Sequence, residues 1–243
     1  MQGAGPPLPH APGRASFRPM QIFLIVFAIA LGFTMWGRSR FLKIYGQESG
    51  NLISSGLTGV RLAEGMMRYR GIEGVTVKRG RGVFDDFYHP ETREITLAPQ
   101  HFAGSTFSAL AMAAQQAGKA LQHAEGHRPL LWRTSVIRWT VYLSLPLFII
   151  GGISLALGLT KSLFPIVLLA WSAITFWNVL TVPTELDAGS RARKELEGMH
   201  VFKNLDERVG VERVMGAAST AYIDGVSVVA SWAVRKILPR MKG

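Results

Sequence analysis

Between Thr134 and Val182 the chain carries two long apolar runs, Thr134 to Thr160 and Leu163 to Val182, separated only by Lys161 and Ser162. A helix needs about 20 apolar residues to cross a bilayer, and so short a link forces the two runs into an antiparallel hairpin through it. Pro146 and Pro165 fit such helices where neighbouring helices satisfy the carbonyls they free. Two further runs flank this pair. Met20 to Gly37 is almost unbroken; Ala28-Ile29-Ala30 mimics a signal-peptide cleavage site, but the run continues to Trp36, which favours an uncleaved anchor. Val214 to Val234 is apolar and carries Ala217, Ala218, Ala221, Gly225 and Ser231, small residues that permit close helix packing. Asp224 within it is costly at mid-bilayer and is expected to face the protein interior.

Composition agrees with a membrane protein: mean hydropathy is +0.21 and 48% of residues are hydrophobic. The formal net charge of +11 calls for an anionic neighbour. The basic residues sit beside the apolar runs and no nucleic-acid signature accompanies them, so membrane lipids are the expected partner and nucleic acid is not. The absence of cysteine excludes disulfides, thiol catalysis and Cys-ligated zinc. Residues 1–19 hold five prolines among Gly and Ala, and an unordered tail is expected there.

The resulting plan is an α+β membrane protein with about four transmembrane helices, at 20–37, 134–160, 163–182 and 214–234. A polar domain at 38–133 and a polar segment at 183–213 lie on one face. That face holds Arg38, Arg40, Lys43, Arg128, Arg133, Arg138, Arg191, Arg193 and Lys194, against Lys161 opposite. The positive-inside rule then places the polar domain in the cytoplasm, in a multi-pass inner-membrane arrangement.

Within the polar domain, Thr58 is a helix N-cap ahead of the stripe Val60, Leu62, Ala63, Met66 and Met67, read as a core-facing helix. Val75 and Val77, then Ile95 and Leu97, alternate with polar residues and predict short half-buried strands. Asp85 to Thr92 between them is rich in breakers and predicts a turn. Ser105 or Thr106 caps a helix running through Phe107, Leu110, Ala114 and Leu121 to a stop near Gly126. Other candidate sites have blander readings. His89, His101, His123 and His127 are more often surface or hydrogen-bonded core residues than a metal set, Asp85 and Asp86 more often turn formers than an acid pair, and Lys78 to Gly82 a solvated hairpin tip.

Four stretches together carry a resemblance. Ser55-Gly56-Leu57-Thr58-Gly59 matches Ser-Gly-Leu-Thr-Gly of the bacterial membrane neutral zinc metallopeptidase family, and Asp86-Phe87-Tyr88-His89-Pro90 is similar to its Asp-His-Tyr-Asp-Pro. Ala113 to His123 aligns with Ala-Ala-His-Glu-Val-Gly-His-Ala-Ile-Gln-His, keeping Ala113, Ala114, Gly118, Ala120, Gln122 and His123. Thr181 to Ala188 resembles Thr-Leu-Pro-Val-Glu-Phe-Asp/Asn-Ala, whose Glu falls on Glu185. The resemblance runs from about Phe41 to Trp232 and implies a zincin-like domain that binds zinc through two His and this Glu.

The departures decide the expected function. In the family motif His-Glu-x-x-His, two imidazoles one helical turn apart hold zinc and the Glu polarises water. Here Gln115 and Lys119 stand at the two His positions and Gln116 at that of the general base, so only Glu185 remains of the ligand set. A carboxamide is a poor zinc ligand, an ammonium must lose its proton to coordinate, and Gln cannot accept the proton the Glu would take. The resemblance thus implies a pseudoenzyme without zinc or a catalytic residue, in which Lys119 pairs with Glu185 and Gln115 and Gln116 complete the hydrogen bonds. The expected role is a binding or scaffold protein, with a peptide adding to the edge of strand Glu94 to Leu97. The alternatives are an active peptidase using other ligands and a basic anchor on anionic lipid.

Overall fold

The computed structural model describes residues 19–82, 85–159 and 163–221. The expected tail therefore lies outside the described residues up to Pro19, as does the fourth apolar run beyond Ala221. The described chain is mostly helical with a small sheet, in the order α1 (Pro19–Glu48), α2 (Gly59–Tyr69), β1 (Thr76–Arg79), β2 (Phe87–His89), β3 (Glu94–Leu97), α3 (Pro99–Phe102), α4 (Phe107–Ala124), α5 (Arg128–Ala156), α6 (Phe164–Val179), α7 (Val182–Gly198) and α8 (Leu205–Ala221).

Local chemistry explains the ends of the central helix. Thr106 caps α4, its side chain accepting a hydrogen bond from the Ala109 amide at 3.1 Å, and Gly126 follows the helix at φ +71°, a left-handed conformation that glycine adopts without strain. Every residue of α4 from Phe107 to Gln122 is buried, because α2, α7, α8 and the sheet all pack around it. α2 meets it through Leu62, Ala63, Met66 and Met67, while Arg61, Glu64 and Arg68 on the opposite side face out. At Gly118 the backbones of α4 and α7 touch: a β-carbon there would stand 2.2 Å from the Ala188 carbonyl oxygen.

The sheet corrects two expectations. Its order is β1-β3-β2, with β1 parallel and β2 antiparallel to β3, so Glu94 to Leu97 is the central strand and both its edges are taken. No peptide can add there. The second correction explains the first: the stretch read as a turn contains strand β2, in which Tyr88 points inward while Phe87 and His89 face out. The turn proper is shorter and ends at Arg93, which has φ +51°.

Among the described residues two helical stretches are long and apolar enough to cross a membrane, Arg128–Ala156 and Pro165–Gly198. Their outer faces expose Trp139, Tyr142, Phe148, Ile166 and Phe176, a large apolar surface of the kind that lipid covers. Asn178 bridges them by donating to Thr140 Oγ1 at 2.9 Å. The helix expected from Thr134 already starts at Arg128, and the polar segment 183–213 forms α7 and the first half of α8. Where the fourth apolar run begins, Val214, Met215, Ala217, Ala218 and Ser219 are buried in α8, which packs on α4 and α1.

Candidate functional site

Residues one turn apart share a helix face, so α4 presents Gln115 and Lys119 together with Gln116 beside them, and Pro183 near the start of α7 places Glu185 in its first turn. Gln115 Nε2 donates to the Glu185 carbonyl at 2.9 Å and to its carboxylate Oε2 at 3.1 Å. Lys119 Nζ lies 3.1 Å from Glu185 Oε1 and donates to Gln116 Oε1 at 3.1 Å. The four positions singled out in the sequence thus converge.

Sequence reading missed the fifth member. Arg133, expected among the interfacial charges, instead turns inward from α5 and brings Nη2 to 2.8 Å from Glu185 Oε1. It is 4% exposed, beside Glu185 at 1% and Lys119 at 7%. Its one available signal was its position, at the mouth of an apolar run and close in the chain to the α4 motif. Burial lowers the pKa of Lys119 against the pull of Glu185, and Arg133 lowers it further.

This donor set does not fit zinc. A catalytic zinc takes about three protein ligands plus an open position, and no group of three or more His, Asp or Glu able to hold a metal occurs among the described residues. Around Glu185 stand carboxamides, an ammonium and a guanidinium. The two cationic side chains already stand against the carboxylate that a metal would need.

The candidate histidines are not brought together. His89 stacks edge-on against Phe87 at the surface, His123 Nδ1 is 2.7 Å from the Tyr88 hydroxyl, and His127 Nε2 is 3.9 Å from Asp187 Oδ2. His101 is buried in a second polar cluster that the sequence did not reveal. Its Nδ1 is 2.7 Å from Asp86 Oδ2 and its Nε2 2.7 Å from the Tyr45 hydroxyl, while Asp86 Oδ1 accepts from the Ala98 amide at 2.9 Å. Burial and the nearby Asp86 charge raise the pKa of Tyr45. Asp86 is therefore a core residue, while the Asp85 carboxylate ahead of it accepts from the Arg81 amide at 2.9 Å and from that of Gly82.

The family described as "putative neutral zinc metallopeptidase" matches over residues 21–238. The protein named "Putative membrane protease YugP" from Bacillus subtilis (strain 168) is 29% identical over 204 residues, covering 83% of this chain and 89% of the relative. No solved structure matches.

Proposed function

The chain belongs to the neutral zinc metallopeptidase family, and from that premise we propose that it acts without zinc and without hydrolysis, as a membrane-embedded binding or scaffold protein. One observation carries this reading. The carboxylate at the third-ligand position is held between Arg133 and Lys119, so the charge that would attract a metal is already balanced inside the protein. Gln116, at the position of the general base, offers a carboxamide that cannot take a proton from water. The partner is a peptide or protein, and the strand edges open to it are those of β1 and β2, which border the sheet. The spans at 20–37 and 214–234 complete a four-helix anchor in a bacterial inner membrane, with the zincin-like domain on the cytoplasmic side.

The experiment is elemental analysis of protein purified in detergent without chelator. It is run on the native chain and on a variant combining Gln115→His, Gln116→Glu, Lys119→His and Arg133→Leu. Zinc absent from the native protein and stoichiometric in the variant is the expected pair of results, because the variant restores the ligands and removes both competing cations. Stoichiometric zinc in the native chain would overturn the reading in favour of a peptidase with other ligands.

A further inference from the structure

A cavity of about 590 Å³ opens between the end of α2, the β2–β3 hairpin and the last turns of α4, and it shares no residue with the Glu185 cluster. Arg70, Glu73, Tyr88, Arg93, His123 and Glu125 supply its charged and polar lining. Four of these are accounted for. Arg70 holds Glu125 at 2.9 Å and Glu195 at 3.5 Å, and the Tyr88 hydroxyl is bonded to His123 Nδ1 at 2.7 Å.

Arg93 is different. Its guanidinium makes no hydrogen bond or ion pair among the described residues, although its charge acts on both Tyr88 and His123. It lies over Gly74, with Nη1 3.7 Å from where a β-carbon of that residue would stand. Its backbone sits at φ +51°, in the left-handed region that a residue with a side chain adopts only at a cost. The hairpin turn thus holds a cation over the cavity in an unfavourable backbone state.

The imidazole completes a donor pair. Burial pushes the Tyr88 hydroxyl up to about 12, so it keeps its proton at neutral pH and can donate to Nδ1. Burial and Arg93 lower the pKa of His123, which keeps the ring neutral. A neutral ring that accepts at Nδ1 carries its proton on Nε2, where no partner holds it among the described residues.

We infer that this cavity binds the carboxylate of a small ligand, such as the free C-terminus of a peptide, between the Arg93 guanidinium and the His123 Nε2–H. A guanidinium and a neutral N–H together match a carboxylate's two oxygens. Glu73, an exposed residue of the lining, repels a second negative charge, which disfavours a phosphate dianion. The site does not rest on the reading of the Glu185 cluster and holds whatever the zinc measurement gives.

Calorimetric titration of the full chain in lipid nanodiscs tests it, with trialanine, trialanine amide and inorganic phosphate as probes. Trialanine is expected to bind saturably and the amide not. Arg93→Met, checked for an unchanged melting temperature, should weaken trialanine at least tenfold, the scale of a lost charge-assisted hydrogen bond. His123→Phe, which keeps a ring but offers no N–H, should weaken it by a smaller factor. Equal binding of acid and amide, no binding of either, or unchanged affinity in folded Arg93→Met would overturn the proposal. Phosphate binding more tightly than trialanine would overturn the carboxylate assignment.

Discussion

Glu185 and Asp86 are both buried carboxylates, at 1% and 5% exposure, but one faces two cationic side chains and the other a chain of directional hydrogen bonds. Glu185 on α7 gathers Arg133 from α5 and Lys119 from α4. Asp86, just ahead of β2, gathers the Ala98 amide, then His101 of α3 and, through it, Tyr45 of α1. Each cluster ties the polar domain to a different helix leading toward the apolar runs. The α5 tie depends on fixed charges whose desolvation has to be offset by close pairing. The α1 tie runs through hydrogen bonds that link a carboxylate, an imidazole and a phenol.

That contrast can be broken most directly at Glu185. Glu185→Ala removes the buried carboxylate that Lys119 and Arg133 share, and a loss of about 3–5 kcal/mol is expected for a broken buried pair, read as a large fall in thermal stability in detergent. A fall no greater than that from removing Asp86 would erase the distinction. Asp86→Asn is next, at about 1–3 kcal/mol, because a buried His101 nitrogen and the Ala98 amide lose their charged acceptor. Tyr45→Phe removes only the far end of the chain and should cost about 1 kcal/mol; a much larger loss would mean that the α1 tie is as strongly coupled as the α5 tie.

The smallest effect belongs to His123, half-exposed in the cavity wall and outside both clusters. Its pKa in the fold lies below the ordinary 6.5, so the unfolded chain takes up a proton first as pH falls. Stability is therefore lost as pH drops from about 6.5 toward the folded value. His123→Gln should flatten a shallow acid slope between those limits in pH-dependent melting curves, and an unchanged slope would remove His123 as its source.

The parts of the fold legible in the sequence were those written in local chemistry. Thr106 stands as cap, Gly126 as stop, and Leu62 with Met66 as the buried stripe of α2, because each position follows from neighbours a few residues away. The pairing of Lys119 with Glu185 was readable only through the resemblance, since 66 positions separate them and no periodicity links α4 to α7. Strand β2 was hidden because Asp85, Asp86 and Pro90 bracket three strand residues and make the whole stretch look like a turn. Arg133 was hidden for another reason: composition cannot say whether a basic residue at the start of an apolar helix points to lipid headgroups or to a buried carboxylate. The Asp86–His101–Tyr45 chain depends on three elements meeting, and no segment of sequence contains it.

The contact at Gly118 has a bearing on what this scaffold could become. Because α4 and α7 meet there backbone to backbone, with no room for even a methyl group, the spacing across the buried cluster of Gln115, Lys119 and Glu185 is gauged by the main chain. The side chains that fill the space between the helices do not set it. Contents can then be exchanged while the frame keeps its dimensions, provided that Gly118 is left alone.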